Sequence, residues 1–159
     1  PIELNSMGAG IWGSAFFAIF AVMIIISRPL VGKAYARYGS KYIIYPGLVL
    51  FILGLLALGI ATKPLTIILT APLLGLGYGA AQPAFQALAI QSAPIERAGV
   101  STATYFLALD ISVGAGSVIL ALLASAVGYQ YLYMFTATIM IVALALYHIW
   151  IKRYTPLEL

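Results

Sequence analysis

Cysteine is absent from the 159 residues, and histidine occurs once, at His148. Without a thiol there is no disulfide, no thiolate metal site and no cysteine nucleophile, and a lone imidazole builds no histidine cluster. Charge is nearly as scarce. Only 8% of the residues are charged, against about a quarter in an ordinary soluble domain. Acids are rarer than bases, 4 against 8, for a net charge of +4. The bases are scattered between apolar runs and form no continuous phosphate-binding stripe, so a nucleic-acid partner is not expected. No nucleophile–base pair or metal cluster is available, so neither an enzyme nor a cofactor site is expected.

What the chain has in quantity is hydrocarbon. Hydrophobic residues make up 64% of it, and a run of about 20 mainly apolar residues crosses a bilayer as a helix. Five segments qualify: about Gly8 to Pro29, Tyr42 to Ala61, Pro64 to Ser92, Ala98 to Val127 and Tyr131 to Ile151. The expectation is an all-α membrane protein, a single domain of five antiparallel helices over 1–159. Between the first two spans lies Ser27 to Lys41, reading SRPLVGKAYARYGSK, the densest basic stretch of the chain. It is expected as a cytoplasmic loop, because positive charge concentrates in short loops on the inner side. On this assignment Arg28, Lys33, Arg37, Lys41, Arg97, Lys152 and Arg153 fall on one side of the membrane and only Lys63 on the other. The chain therefore begins outside and ends in the cytoplasm of a cell whose plasma membrane holds it.

The spans differ in polarity. The second, from Ile43 to Ala61, contains no charged or amide side chain, and the fifth is nearly as oily; both are expected at the periphery against lipid. The third carries Gln82, Gln86 and Gln91, and the fourth carries Tyr105, Asp110 and several hydroxyls. Such groups are costly against lipid, so these two spans are expected to line an interior. Asp110 is the ionisable residue set deepest in any span, where a carboxyl must be paired, hydrated or protonated. It either couples to protons or substrate, or hydrogen-bonds a neighbouring helix and fixes packing. Gln82 and Gln86, four apart on one face beside Pro83, either contact a polar substrate group or hold helices together. The run from Gly75 to Ala80 superficially matches a dinucleotide fingerprint, but that motif requires a preceding strand. Gly75 and Gly79 instead have the small-xxx-small spacing that lets membrane helices touch, as do Ser112 and Gly116.

The loop Gly32, three residues, Ala36-Arg37, one residue, Gly39, Ser40-Lys41 resembles the G-x-x-x-D-R-x-G-R/K-R/K signature of the major facilitator superfamily. The preceding Arg28-Pro29 and the stretch GLGYGAAQPAFQALAIQSAPIERAGVSTATYF are similar to the drug:proton antiporter branch of that family. Five spans that begin outside are what one six-helix half shows when its first helix is missing. The resemblance implies the second half of a twelve-helix transporter, ending naturally near Leu159, whose N-terminal half is a partner. It further implies proton-coupled efflux of small lipophilic or amphipathic compounds. Cavity positions would be Gln82, Gln86 and Tyr105, proton or substrate sensing would fall to Asp110, and Arg28, Gly32, Arg37, Gly39 and Lys41 would form the signature loop. Alternatives are uptake of a neutral metabolite, or a small helical scaffold in which Asp110 and the glycine pairs serve association only. Ala36 stands where the signature has aspartate, so the ion pair made by that carboxylate in the family has no acid here.

Overall fold

A backbone crossing hydrocarbon must satisfy its amides within its own segment, which leaves the helix as the solution for a chain of this composition. The computed structural model describes residues 2–154, with side chains described over 10–151; the expected span start at Gly8 and the side chains of Lys152 and Arg153 lie outside that range, as does the tail to Leu159. The elements are α1 (Ile2–Tyr38), α2 (Lys41–Ile60), α3 (Pro64–Gln91), one 3-10 turn (Ile95–Arg97), α4 (Ala98–Val127) and α5 (Tyr129–Tyr154). Among the described residues, five helices are long and apolar enough to cross a membrane.

The stretch from Ser27 to Lys41 is not the loop its charge suggested. It is helical through Tyr38, and only Gly39 and Ser40 separate α1 from α2. Positive charge reports which side of a membrane a segment faces and says nothing against helix. Lys33, Ala34, Ala36 and Arg37 are all good helix formers, and the helix continues through Pro29, whose ring crowds the Ile25 carbonyl and supplies no donor to it. With 37 residues, α1 extends about 55 Å at about 1.5 Å per residue. That exceeds a hydrocarbon core of about 30 Å, so the helix carries its basic end beyond the lipid tails. The turn itself rests on Gly39, whose φ of 81° is in the left-handed region that favours glycine. Its N–H donates to the Tyr35 carbonyl at 2.9 Å.

Local chemistry sets the other boundaries. Pro64 opens α3, where a missing N–H leaves no bond unmade. Thr66 Oγ1 accepts from the Lys63 N–H at 3.2 Å and donates to the Lys63 carbonyl at 2.7 Å. Pro94 stops the chain after α3 and starts the 3-10 turn. Gly128, at φ 85°, reverses the chain between α4 and α5.

Helix α2 is the most buried of the spans, which corrects the expectation that its oily sequence would place it at the periphery. Ile43, Ile44, Leu48, Ile52, Leu55 and Leu58 are all buried against α3, α1 or α5. Hydrocarbon packs as well on protein as on lipid, so oiliness does not distinguish the two. What draws α2 inward is small residues. A Cβ on Gly77 of α3 would lie 2.5 Å from the Phe51 amide nitrogen and 2.8 Å from the Gly47 carbonyl of α2. The two backbones therefore touch. On either side of that contact lie two apolar clusters, one of Ile43, Ile44, Leu48, Ala84 and Tyr147, the other of Leu55, Leu58, Leu74 and Ala137. By contrast α4 buries no residue within this chain.

This seam has a direct test. Gly77→Val forces a side chain into the α2 backbone and should destabilise the purified protein by about 2–3 kcal/mol, read as a lower thermal midpoint in detergent. Gly114→Ala, where nothing lies within 4 Å, should stay within about 1 kcal/mol of the parent.

Candidate functional site

Residues 75, 79, 82 and 86 follow the helical repeat along one face of α3, and their identities change halfway from glycine to glutamine. At the glycines α1 comes into contact. A Cβ on Gly75 would lie 2.7 Å from Met23 Cβ and from the Phe20 carbonyl oxygen; on Gly79 it would overlap Ser27 Oγ and lie 3.0 Å from Ile24 Cα. Ser27 is buried and turns its hydroxyl back to the Ile24 carbonyl at 2.8 Å. Below that contact the long amides of Gln82 and Gln86 occupy the same face, and the two helices enclose a cleft of about 550 Å³. Arg28, Gly32, Tyr35 and Ala36 of α1, Gln82, Pro83 and Gln86 of α3, and Phe106 of α4 line it. The seam closes again toward the Tyr38 end of α1, where the Tyr35 hydroxyl donates to Gln91 Oε1 at 2.9 Å.

The cleft thus unites groups that the sequence kept apart. Arg28, Gly32 and Ala36 belong to α1 and not to a loop, and they line the cleft opposite the two glutamines. Gly32 makes no close contact, since nothing lies within 4 Å of an added Cβ, and its smallness instead widens the cleft. Arg37 is exposed and lies over the Tyr38 ring at 5.3 Å. Lys41 is the exposed first residue of α2, and Gly39 is the turn between them. Tyr105 does not line this cleft. Its hydroxyl donates to the Gln82 carbonyl at 3.1 Å, and its ring faces a separate, largely apolar cavity of about 770 Å³ with Phe85, Tyr147 and Trp150. Asp110 follows Phe106 by one turn on the same face of α4, exposed in this chain and outside the cleft lining. Ser112 and Gly116 meet no other helix here. Nothing lies within 4 Å of a Cβ on Gly116, and the Ser112 hydroxyl turns back to the Ala108 carbonyl at 2.7 Å.

Other interhelical links carry no sequence motif. Tyr45 and His148 share a 2.7 Å hydrogen bond between α2 and α5. Beside it the Tyr147 ring stands edge-on to Tyr45 and Phe85, and the residue is buried. Toward the start of α1, Trp12, Phe16, Phe20, Phe51 and Tyr133 surround an apolar cavity of about 570 Å³. Spacing alone would have revealed only part of this, since Trp12, Phe16 and Phe20 are four apart. Among the described residues no cluster of three or more metal-ligating side chains forms.

Residues 3–158 match the family model described as Major Facilitator Superfamily. The uncharacterized MFS-type transporter YhhS of Escherichia coli O6:H1 is 28% identical over 151 residues, covering 93% of this chain and 37% of that protein. Its counterpart in Escherichia coli K12 is 28% identical over 149 residues, covering 92% and 36%. The protein of the same name in Salmonella typhimurium is 28% identical over 147 residues, covering 91% and 36%. The chain thus spans little more than a third of the length of these relatives. No solved structure matches the chain.

If the cleft holds water, a thiol placed in it will react as one in water does. Ala87→Cys, on the cleft lining, should be modified by a small water-soluble maleimide at least about tenfold faster than Val49→Cys on the outer face of α2, because the reactive thiolate does not form in hydrocarbon. The natural lack of cysteine in this chain makes the comparison clean. Equal rates would mean that the cleft is closed to water or filled by lipid.

Proposed function

Because the chain belongs to the major facilitator superfamily, we propose that it is one bundle of a secondary transporter and that the cleft on the α1–α3 seam is its share of the substrate path. The observation that carries this reading is convergence. Amides from α3 and a guanidinium from α1 meet in one cleft, and the carboxyl of Asp110 lies one turn further along the α4 face that closes it. Polar groups inside a membrane span are costly against lipid and mark substrate or ion pathways. The second wall comes from the part of the transporter that this chain does not contain.

Transport in such a protein proceeds by rocking two bundles about a site near the bilayer midplane. Within this bundle α1, α2 and α3 are pinned by backbone contact at Gly75, Gly77 and Gly79, which suits a body that moves as a unit. Helix α4 is held more lightly, by hydroxyl bonds such as Ser101 to the Ala89 carbonyl at 2.6 Å, and Asp110 and Ser112 are exposed on it. Asp110 carries the coupling proton in this reading, with Gln82 and Gln86 contacting substrate and Tyr105 holding α4 against α3. The turn at Gly39, flanked by Arg37 and Lys41, is the cytoplasmic hinge of the bundle, while Arg28 and Gly32 lie further back along α1 on the cleft. The substrates are small lipophilic or amphipathic compounds, exported across a plasma membrane in which α1 starts outside and α5 ends in the cytoplasm. The mixed character of the cleft, amides and one cation beside Phe106, Pro83 and Val31, supports an amphipathic cargo.

The full-length transporter carrying Asp110→Asn, reconstituted with an imposed pH gradient and a lipophilic dye, should lose proton-driven transport by about tenfold or more, the equivalent of about 1.4 kcal/mol. Counterflow without a gradient should persist. Undiminished driven transport would remove the proton role. Restoring the signature acid with Ala36→Asp places a carboxylate on the cleft wall and should alter the transport rate without changing the amount of folded protein; an unchanged rate would remove the hinge role of that segment.

A further inference from the structure

Four clefts can be compared on this surface: the seam cleft, the apolar cavity beside Tyr105, the aromatic cavity toward the start of α1, and a small apolar one between α4 and α5. Of these four only the seam cleft is lined by a charged side chain, Arg28. That residue lies ten positions before the end of α1, about 15 Å back along the helix. Lys33 and Arg37, nearer the end, are not part of the cleft lining; Arg28, itself exposed in this chain, is. Neither it nor any other group of the lining forms an ion pair among the described residues. Gln82 and Gln86 stand across from it on α3, and amide groups supply further hydrogen-bond donors.

A guanidinium with two carboxamides and no resident carboxylate is a donor-rich site. Its planar fork matches a carboxylate, sulfonate or phosphate oxygen pair, and a bond between two charged groups is roughly twice as strong as a neutral one. Phe106, Val31 and Pro83 give the rest of the cleft an apolar wall. We propose that the seam cleft selects amphipathic organic anions, with Arg28 holding the acidic headgroup, Gln82 and Gln86 completing its hydrogen bonds, and the tail lying against Phe106. This rests on the reading of the cleft as substrate path and adds the charge class of the cargo to it. A lipid phosphate offers the same chemistry as a free acid, so the test separates them.

The probes are phenylbutyrate and its amide, which share a tail and differ in headgroup charge, titrated calorimetrically into the full-length transporter in phosphatidylcholine nanodiscs. The acid should bind about tenfold or more tightly than the amide. Arg28→Gln should abolish the preference, weakening the acid by about tenfold more than the amide, and Arg28→Lys should restore part of it, keeping the charge but losing the fork. Should Arg28→Gln fail to fold, the otherwise native protein carrying Ala87→Cys gives the same information: phenylbutyrate should slow its modification by maleimide and the amide should not. Equal binding of acid and amide, a preference that survives Arg28→Gln, or equal protection by the two probes would overturn the proposal. So would loss of the preference when phosphatidylglycerol is added to the nanodiscs, which would assign Arg28 to a lipid headgroup. Loss of acid preference with Asp110-dependent transport intact sinks this proposal alone, whereas acid preference with no Asp110 dependence sinks the coupling reading alone.

Discussion

Two helices in a bilayer gain little by hiding apolar side chains from lipid that is equally apolar, so their association depends on how closely the backbones approach. In this chain that approach is concentrated on α3. Gly77 faces α2, where the Phe51 nitrogen and the Gly47 carbonyl leave no room for a side chain, while Gly75 and Gly79 on roughly the opposite side admit Phe20, Met23, Ile24 and Ser27 of α1. One helix therefore clamps its two neighbours through missing side chains. The apolar clusters around Leu48 and Leu55 fill the space above and below those contacts and do not create them.

The cleft follows from the same constraint. Continuing the Gly75–Gly79 face by two further steps reaches Gln82 and Gln86, whose long side chains replace absent ones and occupy the space between α1 and α3. Contact at Ser27 above and the Tyr35–Gln91 bond below hold the seam shut at both ends, so the separation becomes a bounded cleft instead of a splayed pair. A single stripe of four residues thus supplies both the joint and the polar wall. Changing the glycines would move the cleft, even though none of them lines it.

The number of helices was legible because a bilayer imposes a length on each apolar run, and the breaks at Pro64, Pro94 and Gly128 are local chemistry. Less legible was anything that depends on which neighbour a face meets. The basic stretch from Arg28 to Lys41 satisfied the charge pattern of a loop, yet nothing in Lys33, Ala34, Ala36 or Arg37 opposes a helix, and α1 simply runs on into water. That error hid Arg28, which as a loop residue has no reason to meet Gln82. The burial of α2 was hidden for a different reason: its side chains suit lipid and protein equally, and only Gly47 against Gly77 decides between them. For Gln82, Gln86 and Asp110 the polarity was visible and the shared side of the bundle was not, because that requires the heights of α1, α3 and α4 to be known together.

Arg28 and Asp110 carry opposite charges on the same side of the bundle, and neither forms an ion pair among the described residues. A bundle selected only for stability would replace both by apolar residues, since burying even a paired charge is often no better than packing hydrocarbon. A permanent pair would also lock α1 to α4. Left apart, each charge is free to meet a partner that arrives and departs, which in the proposed reading is an anion at Arg28 and a proton at Asp110. In that reading the static cost of two unpaired charges within membrane spans is offset only while those partners are bound, and the dependence gives a bundle otherwise pinned by glycines a reason to change state.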